Sequence, residues 1–196
     1  MARQELINAQ RLRPSLTYAQ PHLAVQARIE LTRVYLALAD MAGARTVMRE
    51  IVEAGETFSW DTQTSEADAR AGWFRHGQSG FTVVAVEPSG TVVGTAECAP
   101  NHGGPGAHVA TASFMVDSRH AGRGVGRALG EYVLGRARAE GFRAMQFNAV
   151  AESNVRAVRL WQSLGMQILA TIPEGFRHPA AGYVGLHIMY QRLGPA

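Results

Sequence analysis

A run rich in valine and threonine ends at Val116, a run rich in arginine and alanine starts near Val125, and VDSRHAGRGVGRAL (residues 116–129) joins them with Gly122, Gly124 and Gly126 spaced two apart. This junction constrains the fold more than any other stretch. It predicts a strand feeding a turn that residues without a β-carbon tolerate best, and the turn opening a helix. Such a turn lets successive backbone amides converge, and where it opens a helix the unpaired N–H groups and the helix dipole favour a phosphate or pyrophosphate. Arg123 and Arg127 add positive charge at its rim. The competing reading of the same glycines is a plain tight turn.

The rest of the chain supplies the context for that turn. FTVVAVE and TVVGTAEC flank PSG, the pattern of an antiparallel hairpin. The glycine-rich PNHGGPGAH leads to a third strand, Val109 to Val116. Beyond the turn, Val125, Leu129, Val133 and Ala137 recur every four residues, and Gly141 stands where a left-handed stop is expected. FRAMQFNAV then reads as a strand and NVRAVRLWQSL as a helix closed by Gly165. MQILATI and GYVGLHIMYQRL read as two last strands separated by PEGFRHPAA. Upstream, apolar steps of three and four residues between Val25 and Val52, interrupted at ADMAG, predict two helices ending near Gly55, and Thr64 or Ser65 can cap a short helix reaching Trp73. The fold class is α+β: a mixed, mostly antiparallel central sheet flanked by helices, with a helical N-terminal extension.

Composition removes several function classes. No lysine occurs, which excludes a Schiff-base lysine and a phosphate loop ending Gly-Lys-Ser/Thr. The formal charge of +3 comes from scattered arginines without interleaved aromatics, so nucleic acid is not an expected partner. Cys98 is the only cysteine, which rules out an internal disulfide or thiolate cluster; no metal is expected, and a reducing compartment fits. The first residues lack a signal-peptide core and no run approaches a membrane helix, so the expected location is cytoplasmic, away from membranes. At 196 residues one substantial core with an appendage is the natural size. A dinucleotide fold fits poorly, because the turn lies past the middle of the chain and an acidic residue follows the next strand only at Glu152.

MVDSRHAGRGVGRALGEYVL, followed about two dozen residues later by NVRAVRLWQSLGM, resembles the two central motifs of the GNAT superfamily of acetyl-CoA-dependent N-acetyltransferases. EIVEAGETFSWD, APNHGGPGAHVATASFMV, AMQFNAV and IPEGFRHPAAGYVGLHIMY are similar to its branch acting on amino-acid-like amines, so the likeness runs from about Glu50 to Leu193. The resemblance implies acetyl-CoA as co-substrate, with its pyrophosphate on Gly122, Arg123, Gly124, Val125, Gly126 and Arg127. It also implies a small-molecule amine as acceptor, and a homodimer is compatible with it. Two departures stand out. Ala121 occupies a position where the family usually has arginine or glutamine, and residues 22–50 resemble a tetratricopeptide-type hairpin where the family has a short first strand and one helix. LRPSL is the candidate for that strand. The extension is assigned to residues 1–38, its hairpin running on to about residue 50, and the acetyltransferase domain to residues 39–196.

Amide formation from a thioester needs a neutral amine, a polarised carbonyl and a protonated leaving thiolate. As the resemblance implies, the amides of Met115 and Val116 hold the thioester arm, and Asn154 caps the following helix or contacts the pantetheine. Glu97 and His108 are the candidate bases, directly or through water. Many family members carry a proton-donating tyrosine where this chain has Trp161, whose indole does not ionise near neutral pH, so Tyr190, Tyr183 or water is left for that role. Phe58, Trp60, Thr111 and Asn148 are the candidate acceptor-binding residues, although the similar branch often has asparagine at the position of Thr111. Direct transfer in a ternary complex is expected, since Cys98 lacks a recognisable base. A non-catalytic coenzyme A-binding or regulatory module is the competing class, with Ala121, Trp161 and the helical hairpin as its arguments.

Overall fold

A computed structural model describes residues 42–74, 80–87 and 89–194. Among them, helices α1 (Ala42–Ala54) and α2 (Glu66–Trp73) precede strands β1 (Phe81–Val86), β2 (Val92–Pro100) and β3 (Val109–Val116). After the glycine turn come α3 (Val125–Ala139), β4 (Ala144–Ala151), α4 (Val155–Ser163), β5 (Gln167–His178) and β6 (Gly182–Arg192). The six strands form one sheet in the order β1-β2-β3-β4-β6-β5. Every neighbouring pair is antiparallel except β3 and β4, which are parallel because α3 carries the chain back across the sheet. The sheet is therefore the mixed, mostly antiparallel one expected. The extension at residues 1–38 and LRPSL lie outside the described residues; the end of the expected hairpin is present as α1, closed by Gly55 at φ +62°. No described helix is long and apolar enough to cross a membrane.

The strands' period of two divides the apolar residues between two cores. On one face Leu129, Val133 and Ala137 of α3 and Trp161 of α4 pack over Phe81, Val83, Ala112, Met145, Phe147 and Met189. On the other, Val47, Met48 and Val52 of α1 and Trp73 of α2 pack over Met115. Trp73 is fully buried, and its indole N–H donates to Thr95 Oγ1 (3.1 Å), whose hydroxyl donates to the Val83 carbonyl (3.0 Å). That chain satisfies the polar atoms that burial would otherwise leave unpaired. Ser65 caps α2 by accepting from the Asp68 amide (3.2 Å).

Most of the segment read as a loop, PEGFRH, belongs to β5. The strand continues through it because its register against β6 shifts between Ile172 and Phe176, with Glu174 in the left-handed region at φ +53°. Pro173 is tolerated there because, among the described residues, β5 is the edge strand of the sheet. The turn is reduced to the residues between His178 and Gly182.

The β3–α3 connection is held by Asp117, which is 2% exposed. Its carboxylate accepts from the Arg119 amide (2.9 Å), Nε (2.8 Å) and Nη2 (2.6 Å), capping a short 3₁₀ turn, Ser118–His120. Ser118 donates to Glu50 of α1. The Arg119 side chain, aided by its amide and charge, holds the Asp117 carboxyl down at about 2. Asp117 therefore contributes stability above the ordinary carboxylate pKa, lost as pH falls through the folded value. Asp117→Asn should lower the unfolding midpoint at neutral pH, and its gap from the natural protein should narrow from about pH 5 downward. A gap constant over that range in pH-resolved thermal unfolding would assign the loss to another cause.

Gly130 of α3 lets α4 approach. A β-carbon there would lie 2.9 Å from Trp161 Cζ3 and 2.8 Å from Leu164 Cδ1, whereas one at Gly135 of the same helix meets nothing within 4 Å. In a helix interior, alanine is favoured over glycine by about 1 kcal/mol. Gly135→Ala should gain roughly that amount, and Gly130→Ala should gain none or lose about 1–3 kcal/mol by overpacking. Urea unfolding of both checks this, and equal gains would show that the helix contact is loose.

Candidate active site

Pairing between β3 and β4 is confined to their first residues, Val109↔Ala144 and Ala110↔Met145. Beyond Ala110 the strands diverge. The cleft between them encloses about 950 Å³ including its open mouth. Thr111 to Phe114 of β3, Phe147 to Ala151 of β4 and Asn154, Ala157 and Trp161 of α4 line it, and Thr57 to Trp60 close one side. Trp161 fills its base, with ring centroids 4.5 Å from Phe114 and 5.1 Å from Phe147. Phe58 and Trp60 meet edge to face at 5.2 Å, backed by Trp73 at 6.0 Å from Trp60. The first two line the cleft, and Trp73 supports them from the core.

Which β3 amides face the cleft follows from the pairing pattern. The Asn101 amide donates to the Val109 carbonyl (2.8 Å) and the Asp117 amide to the Val93 carbonyl (3.0 Å), so the odd-numbered residues of β3 exchange hydrogen bonds with β2. The His108 carbonyl accepts from Arg143 before β4 (2.9 Å), and by alternation Ala112, Phe114 and Val116 direct their amides toward the cleft. This corrects the expectation for Met115, whose amide is taken up by Thr95 and whose side chain, 1% exposed, belongs to the α1 core. Val116 keeps its assigned direction. Ala112 and Phe114 are the cleft-facing amides that the sequence reading passed over.

The glycine turn stands at the open end of the cleft. Gly122 (φ +79°) and Gly124 (φ +84°) are left-handed, and Gly124 is the N-cap of α3 with no side-chain capping bond. The first helical bond runs from the Ala128 amide to the Gly124 carbonyl (3.0 Å), leaving the amides of Val125, Gly126 and Arg127 without intrahelical partners. No acidic residue occupies the first turn. Gly126 plays a different part from the other two, since it is helical and a β-carbon there would lie 3.3 Å from Leu160 of α4. Arg123 reaches Glu87 at 3.5 Å, and Arg127 donates to Ser163 (2.7 Å). His120 lies 3.3 Å from the same Glu87 and 3.5 Å from Asp117, which ties the turn to the β1–β2 hairpin.

The remaining candidates divide. Thr111, Asn148 and Asn154 all line the cleft. Asn148 Oδ1 accepts from Gln146 Nε2 (2.8 Å) and Asn101 Nδ2 (3.3 Å), while its own Nδ2 donates to Asn101 Oδ1 (2.6 Å). Asn154 caps α4, accepting from the Ala157 amide (3.2 Å), so capping and cleft lining coincide. Glu97 is one strand removed: it pairs with Ser113, which lines the cleft, and directly paired residues share a face. His108 and Tyr190, the other two residues expected to be catalytic, are not among the described residues lining the cleft. Both line a second hollow at the closed end of the β3–β4 pairing, where His108 Nδ1 lies 3.0 Å from the Pro105 carbonyl. Tyr183 is exposed on β6. Cys98 is fully buried in the α3 core, and burial, with the charges of Glu97 and Glu140, pushes its thiol pKa up, so it carries no thiolate for an acyl intermediate.

The residues matched by the model of the acetyltransferase (GNAT) family are 46–166, the span that contains the cleft, the glycine turn and α4. The chain is 33% identical over 98 residues to the N-acetyltransferase aca1 of Schizosaccharomyces pombe, covering 50% of this chain and 46% of that protein. It is 32% identical over 117 residues to the L-amino acid N-acyltransferase MnaT of Escherichia coli, covering 59% of this chain and 67% of that one. The chain thus spans about half of the yeast relative and two thirds of the bacterial one. A GCN5-related N-acetyltransferase from Kribbella flavida superposes with a TM-score of 0.75 at 51% identity, covering 79% of this chain and 94% of that one. An acetyltransferase from Salmonella typhimurium, solved with its cofactor acetyl-CoA, shares the fold at a TM-score of 0.70 and 24% identity, over 81% of this chain and 92% of that one. With more than half its length inside the family model and the family's fold around a split parallel strand pair, the chain belongs to the GNAT family of acetyltransferases.

Proposed function

We propose that this protein transfers the acetyl group of acetyl-CoA to a primary amine of a small, amino-acid-like molecule by direct attack within a ternary complex. The observation that carries the reading is the cleft between β3 and β4, which presents uncommitted β3 amides along one wall and leads to an uncapped helix N-terminus at its open end. The names of the bacterial L-amino acid N-acyltransferase and of the acetyl-CoA-bound Salmonella structure support acceptor class and co-substrate respectively.

The pyrophosphate sits on the amides of Val125, Gly126 and Arg127, where the helix dipole favours an anion and Arg123 and Arg127 add charge. The pantetheine arm extends into the cleft, and the amides of Ala112 and Phe114 polarise the thioester carbonyl. The amine nitrogen attacks the carbonyl carbon, the carbon–sulfur bond breaks, and the thiolate takes up a proton. The described lining of the cleft is hydroxyl, amide, aromatic and small apolar groups, and in this reading both proton transfers run through water. Glu97, beside the cleft at Ser113, is the carboxylate that receives the amine proton through that water. Trp161 serves as an apolar floor packed on Phe114 and Phe147.

Acetyl-CoA should raise the unfolding midpoint of the natural protein, since a ligand bound only by the folded state stabilises it. Gly124→Val, which forces a branched side chain into a left-handed cap, should remove that shift while the variant remains folded. Undiminished stabilisation of the variant would leave the turn merely structural. For the proton path, Glu97→Gln should reduce turnover at neutral pH by roughly 10²–10⁴-fold, the usual scale of general acid–base catalysis, with partial recovery at high pH. His108→Ala should change it less than about twofold, far below that scale. Thiol release from acetyl-CoA across a panel of amines measures both, and its absence with acetyl-CoA still bound would favour a non-catalytic module.

A further inference from the structure

The glycine turn carries a charge network that the transfer reaction leaves unused. His120, 15% exposed, lies between two carboxylates: its Nε2 is 3.3 Å from Glu87 Oε1, just after β1, and its Nδ1 is 3.5 Å from Asp117 Oδ2. Asp117, whose carboxyl Arg119 holds down at about 2, is ionised throughout the neutral range. Glu50 of α1 accepts from Ser118 of the same turn. The His120 carbonyl accepts from the Arg123 amide (3.4 Å), so the imidazole and the rim arginine belong to one piece of backbone.

Histidine is the side chain whose charge ordinarily changes between about pH 5 and 8. In either neutral tautomer one ring nitrogen turns a lone pair toward a carboxylate, whereas the imidazolium offers each carboxylate an N–H. Among the described residues the Nδ1 atom is buried without a hydrogen-bond partner, so the neutral ring leaves this position poorly matched. Glu87 Oε1 also has a second cation within reach, Arg123 Nη1 at 3.5 Å, and Arg123 is 64% exposed at the rim of the turn. Glu87 is thus shared by His120 and Arg123. Arg127, the other rim charge, is held outside this sharing by Ser163 (2.7 Å) and Glu131 (3.5 Å).

We propose that His120 and Glu87 are positioning residues for acetyl-CoA: protonated His120 balances Glu87 and releases Arg123 to the pyrophosphate, and neutral His120 leaves Glu87 holding Arg123. Binding of the co-substrate then takes up a proton, and affinity rises as pH falls through the histidine range. By linkage, the proton and the co-substrate each tighten the other's binding by the same factor. The inference rests on the proposed use of the glycine turn for the pyrophosphate. Its size is that of an exposed ion pair, so it tunes affinity by roughly two- to fivefold.

Calorimetric titration of the full chain with acetyl-CoA at about pH 8 and about pH 6.5, in buffers of differing ionisation heat, reads both affinity and proton uptake. The natural protein should bind roughly two- to fivefold more tightly at the lower pH. His120→Gln should keep the weaker affinity at both values and Glu87→Gln the tighter one, so the two variants depart in opposite directions, and each should take up fewer protons. Their unfolding midpoints without ligand establish that both fold. Titration of the ligand's own phosphate is common to all three proteins and cancels in the comparison. Equal pH dependence in all three, or weaker binding by Glu87→Gln at the higher pH, would overturn the inference and leave acetyl-CoA as co-substrate. Binding linked to pH in this way, without thiol release from any amine, would uphold it while removing acetyl transfer. Failure of acetyl-CoA to bind at either pH would overturn both.

Discussion

The molecule is organised by a parallel pairing that stops almost as soon as it begins. Two residue pairs join β3 to β4, and past Ala110 the polar backbone of β3 on that side has no strand to meet. Buried backbone groups are almost always satisfied, so a sheet that opens in its own interior needs water or a ligand there. The antiparallel pairs on either side make the opening affordable: β2 holds β3 along its length, and β6 holds β4 on both sides of its irregularity. The cleft is a gap between two well-supported half-sheets.

An aromatic cluster spans the gap between the half-sheets. Phe114, Phe147 and Trp161 form a triangle with centroids 4.5–5.8 Å apart, one ring from each side of the gap and one from α4 at its base. Such pairs contribute about 0.5–1.5 kcal/mol each beyond their buried area. Trp161 reaches the triangle because Gly130 allows α3 and α4 to touch. The indole at this position is thus part of the scaffold.

Much of this was legible in the sequence, and what was not has a common cause. The alternation of valine and threonine, the four-residue steps after Val125 and the glycines at 122, 124, 141 and 165 depend on local geometry, and the structure has them in the expected states. Phe58, Trp60, Thr111, Asn148 and Asn154 came together because a strand, a turn and a helix cap can each be located from neighbours. Met115 was misassigned because alternation tells which amides point together, but only knowledge that β2 is the odd-side partner tells which way. His108 and Tyr190 were placed by chemistry alone, and the end of the sheet at which β3 and β4 close is a property of pairing that no single strand encodes. The Asn101–Asn148 link joins residues 47 positions apart, with no local pattern to announce it.

The β5 edge has a consequence of its own. Ile168, Leu169 and Ile172 are exposed on a strand whose outer side meets no other strand among the described residues, the arrangement by which one sheet recruits another. Pro173 offers no N–H to an incoming strand, and the left-handed Glu174 inside the register shift bends the path just beyond it. Gln167 to Ile172 remain before it, about 20 Å at the usual strand rise, and a further register shift between Ile168 and Ala170 interrupts even that stretch. The same local distortion that lets a proline run inside a strand also limits how far the sheet can be extended by addition of another chain.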